Sequence, residues 1–198
     1  MTISLVEGTF AGLIFDCDGT LVDTPPAHLA ALQEGLKAHG LSMESDWYYP
    51  RVGLTPDALM DEYEALIGRQ APRKDIYARY AVAFQAGLER MQEIPVIAEI
   101  ARTWHGRMPM AVATNGHRAN VEATLAATNL LPLFDVIVAA EDVGRPKPAP
   151  DVFLEAARRI KIAAAECVVF EDSDEGLTGA RTAGMRAIDI RGYYAPQR

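Results

Sequence analysis

Two aspartates one residue apart, Asp16 and Asp18, end the apolar run Leu13-Ile14-Phe15 in the stretch LIFDCDGTLVDT. In an extended strand alternate side chains face the same way, so both carboxylates are expected at the strand's C-terminal edge, pointing together. Gly19 then permits a tight turn. Carboxylates this close repel each other unless one is protonated or a cation lies between them. A second apolar run, in VVFEDSDEG, ends in Glu171 and Asp172, with Asp174 and Glu175 beyond. If the two strands are neighbours, the acidic groups converge on an all-oxygen site that suits a hard cation, most naturally Mg²⁺. An EF-hand reading of Asp16 to Gly19 fails, because the glycine comes one place early and Ala27 stands at the final ligand position.

Two further stretches place anion-binding groups at strand ends. AVATNG finishes in Thr114, whose hydroxyl can bind an anion's oxygen, followed by Asn115 and Gly116 at a helix start where backbone N–H groups favour anions. GRPKPAP sets Lys147 between two prolines, a fixed positive charge able to hold a phosphate and to neutralise a nearby carboxylate. Each has a bland alternative: a D-x-D is often a turn with a helix cap, and EDSDE is often a solvated helix start. The combination of nucleophile, hydroxyl, lysine and metal carboxylates on four strand ends is what makes the pattern specific.

The elements that must position these groups alternate. Strands are predicted over 108–114, 134–140, 166–171 and 186–191, and helices over 95–106, 117–131, 151–160 and 174–184. The strands are continuous apolar runs, as expected for a parallel sheet covered on both faces. This order points to a doubly wound α/β domain. Between about Leu21 and Met91 no strong strand occurs. Helices are predicted from the prolines at 25 and 26 to Gly40, from Pro56 (capped by Thr55) to Gly68, and along the stripe Ile76, Tyr80, Phe84 and Leu88. An inserted helical domain, 21–91, is therefore expected to interrupt an α/β core made of 1–20 and 92–198.

Composition agrees with a soluble globular protein. Of 198 residues 49% are hydrophobic and 23% charged, and the net charge of −8 argues against nucleic-acid binding, which needs clustered cations. No apolar run approaches membrane-spanning length and the N-terminal stretch lacks a signal-peptide pattern, so no membrane association and a cytoplasmic location are expected. Cys17 and Cys167, each in an apolar run, are expected to be buried free thiols.

With these motifs in place the sequence resembles the haloacid dehalogenase superfamily, in its phosphatase and phosphomutase branch. Asp16-Cys17-Asp18-Gly19-Thr20 matches the first motif, Thr114 the second, Lys147 the third and Glu171-Asp172 the fourth, over nearly the whole chain. The stretches TWHGRMPMAVAT and CVVFEDSDEGLTGARTAGM are similar to small bacterial phosphatases of fructose 1-phosphate and 6-phosphogluconate. The resemblance implies a Rossmann-like core with an α-helical cap, and a Mg²⁺-dependent phosphatase acting on a small phosphorylated metabolite. It implies Asp16 as nucleophile, forming an aspartyl phosphate, and Asp18 as the proton donor and base. It implies Mg²⁺ held by Asp16, Asp172, the main-chain carbonyl of Asp18 and Glu171, with Thr114 and Lys147 on the phosphoryl oxygens. Asn115, His28 and Arg51 are substrate-binding candidates, and Tyr48 and Lys74 are further cap candidates.

Four other readings stand beside this one, of which a catalytically idle phospho-ligand-binding protein is disfavoured by the intact Asp16, Asp18, Lys147 and Asp172. The dehalogenase branch does not use an aspartate at position 18. A phosphonate hydrolase would need a Schiff-base lysine, for which only Lys37 and Lys74 are available in the cap. A β-phosphoglucomutase-like isomerase is nearest: His28 stands where those mutases carry a histidine, but Pro56 stands where they carry a cap arginine, which Arg51 would have to replace. A monomer is expected, with a dimer as the alternative.

Overall fold

The computed structural model describes residues 8–194. Five strands form one parallel sheet: β1 Gly12–Phe15, β2 Met110–Ala113, β3 Val136–Val138, β4 Cys167–Glu171 and β5 Arg186–Asp189. Their spatial order is β3-β2-β1-β4-β5. The chain works outward from β1 on one side, then returns to its other side, so β1 lies beside both β2 and β4. In such sheets ligands bind beyond the C-terminal strand ends where the order reverses. Here that place is the end of β1 and β4, in the register Phe15↔Phe170.

The strands are apolar throughout because both faces are covered. Leu13, Phe15, Val112 and Phe170 pack with Ile97 and Ala101 of helix α5 (Pro95–Trp104) and Val121 and Leu125 of α6 (Arg118–Ala127). Ile14, Ala111, Ala113 and Val169 face the other way, onto Val152, Phe153 and Ala156 of α7 (Asp151–Ile160) and Ala180 of α8 (Asp174–Thr182). The alternation along Leu13-Ile14-Phe15 is thus a division between two cores.

The segment following β1 is helical. It comprises α1 (Pro25–Lys37), the one-turn α2 (Ser45–Tyr48), α3 (Pro56–Ile67) and α4 (Arg73–Gly87). They share a separate core that includes Leu32, Leu36, Met43, Met60, Tyr63 and Ile76. The expected caps of α3 are present: the Thr55 hydroxyl accepts from Ala58 N–H, and Gly68 is left-handed at φ 67°. Leu21 and Val22 pack in the sheet's core, so the helical layer begins after them. The outgoing and returning chains pair antiparallel there, with Ile94 N–H donating to Leu21 C=O at 2.8 Å and Asp23 N–H to Gln92 C=O at 2.9 Å.

Several elements are shorter than their sequence patterns. Helix α6 stops at Ala127, short of 131, because the Thr128 hydroxyl bonds back to Thr124 C=O and Asn129 turns left-handed at φ 58°. Strands β2 and β3 have four and three residues inside apolar runs of seven, since pairing lasts only while a neighbour is alongside. Cys17 is buried as expected, but it lies beyond the end of β1. Helix α2 was not anticipated, being too short to show a period.

Helices α1 and α4 meet at Gly35, where an added Cβ would stand 2.7 Å from the Ile76 carbonyl oxygen. Replacing a helical glycine by alanine ordinarily stabilises by roughly 0.5–1 kcal/mol. At position 35 the sign should invert, since the alanine forces two backbones apart at a cost of about 1–3 kcal/mol. Gly35→Ala should therefore lower the urea midpoint, and an unchanged or raised midpoint would contradict this packing.

Candidate active site

Strand β1 ends at Phe15, which puts Asp16 and Asp18 in the turn beyond it. The two carboxylates consequently meet different partners. Asp16 Oδ1 accepts from Lys147 Nζ at 2.6 Å. Asp18 Oδ1 accepts from the Thr24 hydroxyl at 2.7 Å and lies 3.2 Å from His28 Nε2. The two carboxylates therefore do not point together, which the period of an extended strand predicts, because the chain has left the strand before it reaches them.

Lys147 enters between α7 and the sheet and is 7% exposed, with its ammonium 5.0 Å from the centre of the Phe153 ring. It bridges Asp16 and Glu171, the second bond being 2.7 Å. Asn115 holds the backbone that carries it: Lys147 N–H donates to Asn115 Oδ1 at 2.9 Å. Asn115, expected on the substrate, is therefore spent largely on positioning the lysine. Thr114 is buried at the end of β2, and its hydroxyl accepts from Gly116 N–H at 2.9 Å.

Glu171 is 1% exposed and fully engaged. Its second oxygen accepts from the backbone N–H groups of Asp172 and Ser173 and from the Ser173 hydroxyl, at 3.2, 3.1 and 2.8 Å. Ser173 also caps α8 by accepting from Gly176 N–H. The carboxyl group lies where a Cβ at position 176 would stand, 2.0 Å from its carbon, so only glycine fits there. Asp172 accepts from the Thr20 hydroxyl at 3.0 Å.

Asp16, Glu171 and Asp172 each place an oxygen within 4.8 Å of the others, whereas the carboxylate of Asp18 lies outside this cluster. Burial, and next the charge of Glu171, push the Asp16 carboxyl well above the ordinary carboxylate range despite Lys147. The same two causes raise Asp172 to about 7. One lysine is thus too little positive charge for three crowded carboxylates, and an oxygen-only donor set of this kind fits a hard divalent cation such as Mg²⁺. Burial also acts to raise Asp18, but the bond and charge of His28 and the Thr24 hydroxyl outweigh it, leaving Asp18 below its ordinary value.

Between the strand ends and the helical layer lies a cleft of about 710 Å³. Gly19, Asp172 and Ser173 line it from the sheet side, and Tyr49, Arg51, Val52 and Glu62 from the helical side. Arg51 does reach the cleft, but its Nε donates to Glu62 at 2.7 Å and its Nη1 to Trp47 C=O at 2.8 Å. His28 lies under the helical layer, stacked on Phe84 with ring centres 4.7 Å apart, with its Nδ1 2.6 Å from the Tyr80 hydroxyl. Tyr48 is 5% exposed and belongs to the core of that layer, while Lys74 is exposed on α4 away from the cleft lining.

Sequence reasoning passed over Thr24, Ser173, Gly176 and Tyr80. Thr24 and Ser173 each stand directly before a helix, a signal that marks Ser173 as the cap it is, whereas the Thr24 hydroxyl makes no cap and donates to Asp18 instead. Tyr80 left none, because its place in an apolar stripe reads as packing.

A parallel sheet with acidic strand ends beneath a helical layer defines a capped protein of the α/β class with a candidate cation site. The chain belongs to the haloacid dehalogenase-like hydrolases, whose pattern matches residues 13–190. It is 39% identical over 186 residues to the fructose-1-phosphate phosphatase YqaB of Escherichia coli (strain K12), covering 92% of this chain and 97% of that one. It is 35% identical over 201 residues to the protein CbbY of Rhodobacter capsulatus, covering 89% and 83%. CbbY from Rhodobacter sphaeroides in complex with phosphate superposes with a TM-score of 0.81 at 28% identity, covering 96% of this chain and 89% of that one. This protein is thus an enzyme of the hydrolase family, with phosphatases among its relatives. Among the described residues no helix is long and apolar enough to cross a membrane.

The raised carboxyl of Asp172 has a consequence for stability. In metal-free protein the native state keeps this proton up to about pH 7, whereas the unfolded chain releases it near its ordinary value of 3.8. Between those limits the native state binds more protons, so its stability should fall as pH rises through the window. Mg²⁺ should remove much of that loss and stabilise most at the alkaline end. Urea midpoints in chelator and in Mg²⁺ across this range test the point; a chelated protein that gains stability steadily up to neutrality would refute it.

Proposed function

We propose that the protein is a Mg²⁺-dependent phosphate monoester hydrolase that acts on a small sugar phosphate through a phosphorylated Asp16. The observation that carries this reading is the contrast between Asp16 and Asp18. Asp16 is buried against Lys147 and two further carboxylates, whereas Asp18 is held apart by Thr24 and His28. This contrast supports a role for Asp16 in bonding to phosphorus and for Asp18 in handling protons. The E. coli relative, named as a fructose-1-phosphate phosphatase, supports the substrate class.

Asp16, Asp172 and the main-chain carbonyl of Asp18 would hold the Mg²⁺, with Glu171 behind them. Bound there, the ion supplies charge neutralisation for the phosphoryl oxygens and the carboxylates. The Asp16 oxygen attacks phosphorus and the sugar oxygen leaves with a proton from Asp18. Asp18, then a carboxylate, takes a proton from water, which attacks phosphorus and frees Asp16. The lowering of Asp18 by His28 and Thr24 keeps it ionised in the ligand-free site, the form the second half of this cycle uses, so Asp18 must take up its proton before the first half. Lys147, the Thr114 hydroxyl and the N–H groups after it supply positive charge and donors for the transferred group. Splitting one displacement into two covalent steps lowers the barrier to each.

Three outcomes are expected. Asp16→Asn should abolish turnover and form no phosphoenzyme. Asp18→Asn should lower turnover on alkyl phosphates about 10²- to 10⁴-fold, with a smaller defect on acetyl phosphate, whose leaving group needs little protonation. Rapid quenching and intact-mass measurement should detect phosphorylated Asp16 in that variant, and a phosphoenzyme formed by Asp16→Asn would overturn the assignment. With β-glucose 1-phosphate and a trace of its bisphosphate, the product should be free phosphate. Pro56 offers no cation, and Arg51 is already paired with Glu62, so efficient formation of glucose 6-phosphate would make the mutase reading correct.

A further inference from the structure

We propose that the helical side of the cleft selects monophosphates with a neutral, hydroxyl-bearing tail and turns away a second phosphate, through the Arg51–Glu62 pair. The inference rests on the phosphatase reading and adds the class of substrate. Among the described residues that line the cleft from the helical side, Arg51 is the sole cation and Glu62 the sole anion. They form a 2.7 Å ion pair with side chains 30% and 50% exposed, so both still face the space a tail would enter.

Arg51 is held in this state by more than Glu62. Its guanidinium lies 4.2 Å from the centre of the Trp47 ring and donates to the Trp47 carbonyl, and Trp47 itself packs edge-on against Tyr63 in the core of the helical layer. Swinging the arginine toward a phosphate would forfeit the stacking, the backbone bond and the ion pair together. On the opposite wall Arg191 is committed in the same way, to Asp189 at 2.6 Å and to Asp174 at 2.9 Å. With Asp172 set aside as a metal ligand, two guanidiniums share the lining with the carboxylates of Glu62, Asp174 and Glu175.

A second phosphate dianion entering here meets no uncompensated cation and comes to rest beside Glu62. Like-charge contact of that kind is unfavourable. A hydroxyl group meets the opposite situation. It can accept from the remaining N–H groups of Arg51 and donate to Glu62, both bonds being charge-assisted, without adding charge. The pair thus offers donor and acceptor side by side, and rejection of the wrong tail comes from the carboxylate.

The test compares kcat/KM for fructose 1-phosphate, fructose 1,6-bisphosphate and p-nitrophenyl phosphate, which has no tail, in Mg²⁺. Wild type should prefer the monophosphate over the bisphosphate by about tenfold or more. Glu62→Gln removes the repelling charge and leaves the charge of Arg51 uncompensated where it stands, so that preference should shrink by about tenfold, mostly through a lower KM for the bisphosphate. Arg51→Gln should raise KM for the monophosphate more than it lowers kcat. A wild-type enzyme that hydrolyses the aryl phosphate but takes both sugar phosphates equally would overturn the assignment while leaving the phosphatase reading intact. So would a Glu62→Gln variant with the wild-type preference. Absence of phosphate release from all three substrates by wild type would instead remove the phosphatase reading itself.

Discussion

The buried ammonium of Lys147 is the interaction on which the rest of the site depends. It stands 2.6 Å from Asp16 and 2.7 Å from Glu171, joining the ends of β1 and β4 through a third segment of chain. Removing one partner of a buried pair typically costs about 3–5 kcal/mol, because an uncompensated charge is left behind. Nearby features follow from placing that charge accurately. Asn115 fixes its backbone, Phe153 lies against its ammonium, and Gly176 leaves room for the carboxyl it binds.

Compensation is incomplete, however. Three carboxylates crowd one lysine, and the raised values of Asp16 and Asp172 record the excess. A protein selected only for stability would not retain this arrangement, since apolar packing of similar volume would serve better. The unmet charge is understandable as pre-organisation for ligands that bring positive charge and phosphoryl oxygens at once. Asp18 is spared because the turn after β1 aims it at Thr24 and His28 instead. One short turn therefore produces two carboxylates of opposite character.

The helical layer adds what the sheet lacks. On the proposed reading the groups at the sheet ends would meet only a transferred phosphoryl group, and a phosphoryl group is common to many metabolites. Discrimination would then fall to the facing wall, where Arg51 and Glu62 are presented on a separate core that includes Tyr63, Met60 and Leu36. The antiparallel pairing of the outgoing and returning chains ties that core to the sheet through backbone bonds, independent of the side chains on either wall.

The chemistry-bearing residues were legible in the sequence because each follows an apolar run at the place where a strand must stop. Asp16, Thr114 and Asp172 announce themselves in this way, and Lys147 stands out between its prolines. The helix ends at Thr55 and Gly68 were legible too, since caps are decided by a few neighbouring residues. Strand order, the diverging aims of Asp16 and Asp18, the bond between His28 and Tyr80 and the capture of Arg51 by Glu62 were decided only in three dimensions. Each joins groups whose relation is set by burial and charge balance, and these come into being when distant segments pack together. Lys147 and Asp16 are 131 residues apart in the chain, and no local pattern encodes their meeting. The sequence by itself determined which groups would stand at the strand ends; the tertiary structure decided which of them touch, because desolvation makes an unpaired charge costly only once the fold has excluded water.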